Sequence, residues 1–359
     1  MSRRQLSILR SFPAAVLWLA SVPLVGQVPQ PNSAPACSGC HHSQAASQPG
    51  TPMGRAIVLP DSNRTLDANP KMTFHKAPYT YTIETHDHKS VYSVTDGTRT
   101  ISSEVYWSFG AGVQAWLFER DGKFYESLVS YYPAINGLDV TVGDEGLTLH
   151  NLEEAFGRVL TEPVVKDCFG CFATNAVSNG KLNLEAAEPG VGCEHCHAGS
   201  TAHLVAAFDG AFGSAPPDLR KLSSEDISSF CGRCHRTWET VVRNRWRGEP
   251  NVRFAPYRLA NSKCFDGADP RISCLACHDP HQDVVGRAAD YDSKCLACHA
   301  SAASAQSTSA SLPGMTRSCP VAKADCVSCH MPKVKLPDEH LIFTDHWIRI
   351  AHPGDPYPD

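Results

Sequence analysis

The chain has 359 residues, with 16 cysteines, 17 histidines, 19% charged residues and a formal net charge of −5. That acidic balance argues against a nucleic-acid binder, which gathers basic residues, and the 42% hydrophobic content argues against a disordered chain. Cysteine is too frequent for an ordinary cytosolic enzyme and too sparse for a small disulfide scaffold, so its spacing has to explain it.

In chain order, residues 1–36 read as a signal peptide and linker. Arg3, Arg4 and Arg10 form a basic start, and Ala14 to Val25 form an apolar run (AAVLWLASVPLV). That run is shorter than the roughly 20 residues a membrane span needs, and cleavage is expected after Gly26 or Ala36. The mature chain has no further run long enough to span a membrane, so it is expected to be exported, periplasmic or at the cell surface, where disulfides persist. Residues 37–72 carry the first cysteine motif. Residues 73–149 read as a compact antiparallel β module. Tyr79–Ile83 (YTYTI) and Val91–Val94 (VYSV) favour strands, and Gln114–Tyr125 reads as a hairpin around Asp121-Gly122. Trp107, Trp116, Phe118 and Tyr131 offer it a small core, and covering one face of the remainder is its plainer role, ahead of ligand binding.

Residues 150–352 carry the remaining cysteine motifs on short helices and long loops. One helix is predicted near Asn151 with Glu154 as its capping partner, and another near Ser223 with Asp226, running into Cys231, Cys234 and His235. Arg243, Arg245 and Arg247 follow, most simply as a solvated basic face. Residues 301–312 are a low-complexity loop, and 353–359 a Pro-rich, loose tail.

Six segments read Cys-x-x-Cys-His: Cys37, Cys40, His41; Cys193, Cys196, His197; Cys231, Cys234, His235; Cys274, Cys277, His278; Cys295, Cys298, His299; and Cys326, Cys329, His330. Chance placement at this composition gives on the order of 0.03 such matches. On a helical turn, residues i and i+3 share a face, so two thiols can add to the two vinyl groups of one haem while the next residue, His, lies under the iron as proximal ligand. Zinc sites do not ask for His directly after every second Cys. The motifs therefore imply six haem c groups.

A seventh segment departs from the pattern. Cys168 and Cys171 are followed by Phe172, which cannot ligate iron, so a seventh haem there is not expected. With twelve cysteines assigned, Cys168, Cys171, Cys264 and Cys319 remain, and Cys168–Cys171 and Cys264–Cys319 bridges compete with free thiols. Low-spin electron-transfer haems usually take a second axial His or Met. His203 and His281 lie too near their own motifs to share the same iron and should reach neighbouring haems. His340 and His346 stand in a tail with no other evident task, and His75 is the fifth candidate. His42 and His195 rank lower, and Met53, Met72, Met315 and Met331 are weaker alternatives.

The strings GVGCEHCHAGSTAH (190–203), CGRCH (231–235), CLACHDPH (274–281), KCLACH (294–299), DCVSCHMPK (325–333) and FTDHWI (343–348) carry a resemblance. With PMGRA (52–56) and WLFERDGKFYES (116–127), they resemble exported multihaem c-type cytochromes related to the tetrahaem cytochrome c of nitrifying bacteria, and the doubled-CXXCH cytochromes. The resemblance implies an α+β fold of short helices and long loops wrapped around haems in close pairs, mostly bis-His. It assigns His203, His281, His340 and His346 as distal ligands, and Phe172 is where it departs. It implies electron transfer with redox partner proteins rather than catalysis. The alternative is an oxidoreductase acting on a small nitrogen or sulfur oxyanion at one open haem, for which His86, His88 and His150 are the spare pocket residues.

Overall fold

The computed structural model describes residues 34–211, 213, 215–284, 286–299, 319, 321–336 and 340–359. The signal segment up to residue 33, Met315 and the low-complexity stretch 301–312 lie outside the described residues. The fold is α+β: short helices and small antiparallel sheets, with no closed barrel among the described residues.

The strands gather in the first half: β1 (Ile57–Val58), β2 (Lys71–Lys76), β3 (Tyr79–His86), β4 (Lys89–Thr95), β5 (Thr100–Glu104), β6 (Trp107–Phe109), β7 (Ala115–Arg120), β8 (Lys123–Glu126), β9 (Val129–Tyr132), β10 (Gly137–Val140) and β11 (Arg158–Val159). β2 to β5 form a meander, β9 and β10 a hairpin, and a second sheet runs β1-β6-β7-β8-β11. Strand alternation sets the meander's buried face: Tyr79, Tyr81, Ile83 and Thr85 point inward from β3, and Ser90, Tyr92 and Val94 from β4. Register then places Tyr81 opposite Val94 and Ile83 opposite Tyr92. The hairpin read at Asp121-Gly122 is present. Both residues have positive φ, 51° and 70°, as the two-residue turn that matches strand twist requires.

Two apolar clusters hold this half. The first joins the meander to Trp116, Phe118, Tyr131 and the helix Leu152–Phe156, whose Phe156 ring lies 4.8 Å from Phe118. That helix starts as predicted: Asn151 accepts from Glu154 N–H at 2.8 Å, and Glu154 reaches back to the N–H of His150 at 2.8 Å. The second cluster joins Ile57, Phe109 and Leu117 to the helix Glu162–Phe172.

The rest of the chain is short helices linked by loops. Ser223 caps the helix Ser224–His235, accepting from Asp226 N–H at 3.1 Å. Residues 353–359 are not loose. The carbonyl of Pro358 accepts from Arg258 at 2.8 Å, and the Tyr357 ring packs 4.5 Å from the same guanidinium. Of the two readings of the leftover cysteines, free thiols are the one seen: Cys168, Cys171, Cys264 and Cys319 are unbridged. Cys171 meets Cys234 and the Arg233 carbonyl, Cys264 sits beside Cys295 and Cys298, and exposed Cys319 accepts from Ala322 N–H. Cys171 and Cys319 are each engaged by a group other than the proposed bridging partner.

Candidate haem sites

Each motif is built on a helical turn. The first is representative: the N–H of His41 closes on the carbonyl of Cys37 at 2.9 Å, and His197 on Cys193 and His278 on Cys274 repeat the bond at 2.9 and 2.8 Å. This i to i+4 closure presents both sulfurs and the following imidazole together. Ser273 caps the turn Cys274–Cys277. Asp292, at the start of the fifth motif's helix, accepts the N–H groups of Asp325 and Cys326 at 2.8 Å each and so pins the sixth motif to the fifth. Those two bonds hold its carboxyl below the usual range.

The motifs follow one another through space in chain order. Cys37 meets Cys193, Cys231 meets Cys274 and Cys295 meets Cys326, while Cys196 lies within electrostatic reach of Cys231 and Cys234, and Cys277 of Cys295. The first junction depends on glycine. A side chain at Gly190, whose φ is +82°, would strike the carbonyl of Gly54 at 2.0 Å, so only the bare backbones allow this approach. Val191 N–H bonds to Met53 O at 2.9 Å and Gln48 to Val191 O at 2.5 Å, bringing PMGRA against the second motif.

Three proximal histidines stand opposite three of the predicted distal ones. Ring centroids are 6.4 Å apart for His41 and His203, 6.1 Å for His197 and His281, and 6.3 Å for His278 and His346. Two imidazoles bound to one metal at about 2 Å each place their ring centres about 6 Å apart. Hydrogen bonds select the tautomer. His281 Nδ1 bonds to Asp279 Oδ1 at 2.9 Å, and His346 Nδ1 to the Thr344 carbonyl at 3.0 Å. A carbonyl only accepts, so Nδ1 of His346 carries the proton and Nε2 keeps its lone pair. Proximal His330 is fixed likewise, by the Arg349 carbonyl at 2.9 Å. Burial lowers His197, His278 and His346, the last to about 4, so all three are neutral near pH 7 and able to ligate.

Two predicted distal residues are placed elsewhere. His75 is on the exposed face of β2, its Nδ1 2.9 Å from Thr80 Oγ1. His340 has its Nε2 2.7 Å from Asp139 Oδ2 and its ring 5.3 Å from Tyr132. A carboxylate occupies Nε2 of His340, whereas His75 is set apart by its place on the exposed face of β2 rather than by its bond to Thr80. His195 meets Cys234. His86 and His88 lie at the exposed end of the β3-β4 hairpin, with His88 bonded to Asp67 at 3.1 Å, and His150 is exposed ahead of its helix. Met72 is packed in the first apolar cluster.

The motif lacking histidine is anchored differently. Phe169 lies 5.2 Å, edge-on, from both Trp107 and Phe109, and Phe172 lies 5.5 Å from Phe109. Where the six others end in an imidazole, this one ends in a ring packed on the β sheet.

The residues that sequence reasoning did not single out hold the rings of the candidate ligands. Asp279 was in view, two residues from His281. Arg258 and Asp345, 87 residues apart, left no local signal. The donor set suits haem c: paired thiols on one face, one imidazole below and, for three motifs, a second opposite. Among the described residues no three His, Cys, Asp or Glu side chains converge as a lone-metal centre would need.

A family model described as Cytochrome c554 and c-prime matches residues 150–198, the stretch holding the Phe172 motif and the second true motif. No curated protein and no solved structure matches the chain. Over that stretch the chain is similar to this family, which supports a c-type cytochrome that carries electrons on covalently bound haem. No helix among the described residues is long and apolar enough to cross a membrane.

Proposed function

We propose that the chain is a periplasmic or cell-surface multihaem cytochrome c that passes electrons through six haems, at least three of them bis-His, between redox partner proteins. The observation that carries this reading is the set of three facing histidine pairs, His41–His203, His197–His281 and His278–His346, at 6.1–6.4 Å. Bound haem supplies a one-electron iron couple whose potential the axial ligands and their hydrogen bonds tune. The chain's own part is attachment through the paired cysteines, axial ligation, and spacing.

Spacing favours transfer. The six motifs neighbour one another in chain order, three junctions by direct cysteine contact and two within electrostatic reach, from Cys37 at one end to Cys326 at the other. Asp279, Thr344 O and Arg349 O hold ring orientation, which keeps reorganisation small when an electron arrives. Phe172 removes the seventh site's proximal ligand, and its packing on Phe109 favours a structural role for that helix.

Mass spectrometry of the mature protein is expected to show six haems, and His203→Ala, His281→Ala and His346→Ala each to create one high-spin haem by EPR with the haem count unchanged. Variants that stay fully low-spin would overturn the ligand set. A high-spin site in the unaltered protein that binds nitrite or hydroxylamine would replace the carrier with an enzyme.

A further inference from the structure

Arg258 is fully buried, and its guanidinium is used on every side. Nε and Nη2 donate to the two oxygens of Asp345 at 2.8 and 2.9 Å, and Nη1 donates to the Pro358 carbonyl at 2.8 Å. The rings of Trp347 and Tyr357 lie 4.9 and 4.5 Å from it. Asp345, also fully buried, accepts in addition from Arg349 at 2.6 Å and from Trp347 N–H at 3.0 Å.

A buried ion pair is weak evidence of added stability, because desolvation offsets most of the attraction. Its bidentate geometry does fix direction, and here the fixed object is the segment 344–349. That segment carries His346, opposite His278, and through the Arg349 carbonyl it holds the ring of His330. Ser262 secures the same segment, donating to the His346 carbonyl at 3.3 Å and accepting Ile348 N–H at 2.8 Å.

We infer that Arg258, clamped by residues 353–359, is a positioning residue for two haems: through Asp345 it fixes the distal His346 of the fourth motif, and through Arg349 the proximal His330 of the sixth. The inference rests on the haem reading above. The Pro-rich segment closes the clamp by supplying one carbonyl and one aromatic ring. Loosening it should let His346 leave its iron while the thioether attachment, which does not involve the clamp, remains.

The test is carbon monoxide binding to the reduced protein, with EPR of the oxidised form and haem count by mass. Removing residues 353–359 is expected to retain six haems and to add CO binding of up to one haem per chain, approaching that of His346→Ala, because losing an orienting partner weakens the ligand–metal bond about 10- to 100-fold. Arg258→Lys should do the same by losing the fork. Tyr357→Ala is the milder variant, and Tyr357→Phe should match the unaltered protein, because the Tyr357 hydroxyl is buried without a hydrogen-bond partner among the described residues. His346→Ala serves as reference. If it opens a CO site while the truncation and Tyr357→Ala do not, the clamp is wrong and the ligand reading stands. If His346→Ala opens none, the ligand reading fails and takes the clamp with it.

Discussion

From residue 56 to 191 the chain buries large side chains against one another, among them Trp116, Tyr81, Tyr92, Phe118 and Phe156, in two continuous clusters. From residue 192 onward the buried apolar side chains among the described residues are Ile227, Val241, Val252, Pro256, Tyr257, Leu259 and Leu336. The helices there are short, several of them four to six residues, well under the length at which a helix is stable alone in water. The helix Ser200–Phe208, which carries His203, buries no residue at all. The first region supplies its own interior. The second, in the proposed reading, is organised by six porphyrins, and its side chains are arranged as attachment points and orienting partners rather than as a core.

The widest separation of the two regions comes from withholding haem. Protein made without haem attachment is expected to keep hydrogen-exchange protection in β2 to β8 and to lose it across 193–352. Equal protection in both halves would break the contrast. A side-chain deletion inside the first region should act in reverse. Trp116→Ala removes a fully buried ring and is expected to lower the denaturant stability of the β region by about 3–5 kcal/mol, with the low-spin haem spectrum unchanged. A spectral change of the size of the stability loss would show that the regions are coupled.

The smallest effect is electrostatic and sharpens where the first region is strained. Asp144 is 4% exposed, and burial raises its carboxyl to about 6, although Arg158 lies 3.8 Å away and pulls the other way. The folded state therefore holds a proton that the unfolded chain releases near its ordinary value of about 3.9. Stability falls as pH rises from about 4 to 6 and stays lower above that. Asp144→Asn is expected to abolish that slope and to stabilise the fold at pH 7 by about 1–2 kcal/mol. Thermal melts at pH 4, 5, 6 and 7 read it directly, and parallel slopes for the two proteins would refute it.

Legibility in the sequence followed interaction range. The motif turns, the Asn151 and Ser223 caps and the Asp121-Gly122 hairpin depend on residues within about four positions, so spacing alone exposes them. The α+β class was legible for the same reason, from the alternation in β3 and the repeated cysteine turns. His203, His281 and His346 were named from the demand for axial ligands and the family resemblance, and the structure brings each beside a proximal histidine. His75 and His340 were named by the same demand, yet backbone pairing carries His75 onto an exposed sheet face and Asp139 takes the ring of His340. A need for ligands says how many histidines are required and not which ones the chain can deliver.

By itself the sequence determined the chemistry of attachment, because two thiols and an imidazole on one helical turn are a local arrangement that no tertiary contact has to create. The fold alone decided the order of the motifs in space, the backbone contact of Gly54 with Gly190, the fate of the Phe172 helix and the clamp from Arg258 to Asp345 and Pro358. Those contacts join residues tens to a hundred positions apart. Nothing in the covalent neighbourhood of a buried arginine announces which carboxylate will neutralise it; only packing, by excluding water from both, makes that one partner necessary.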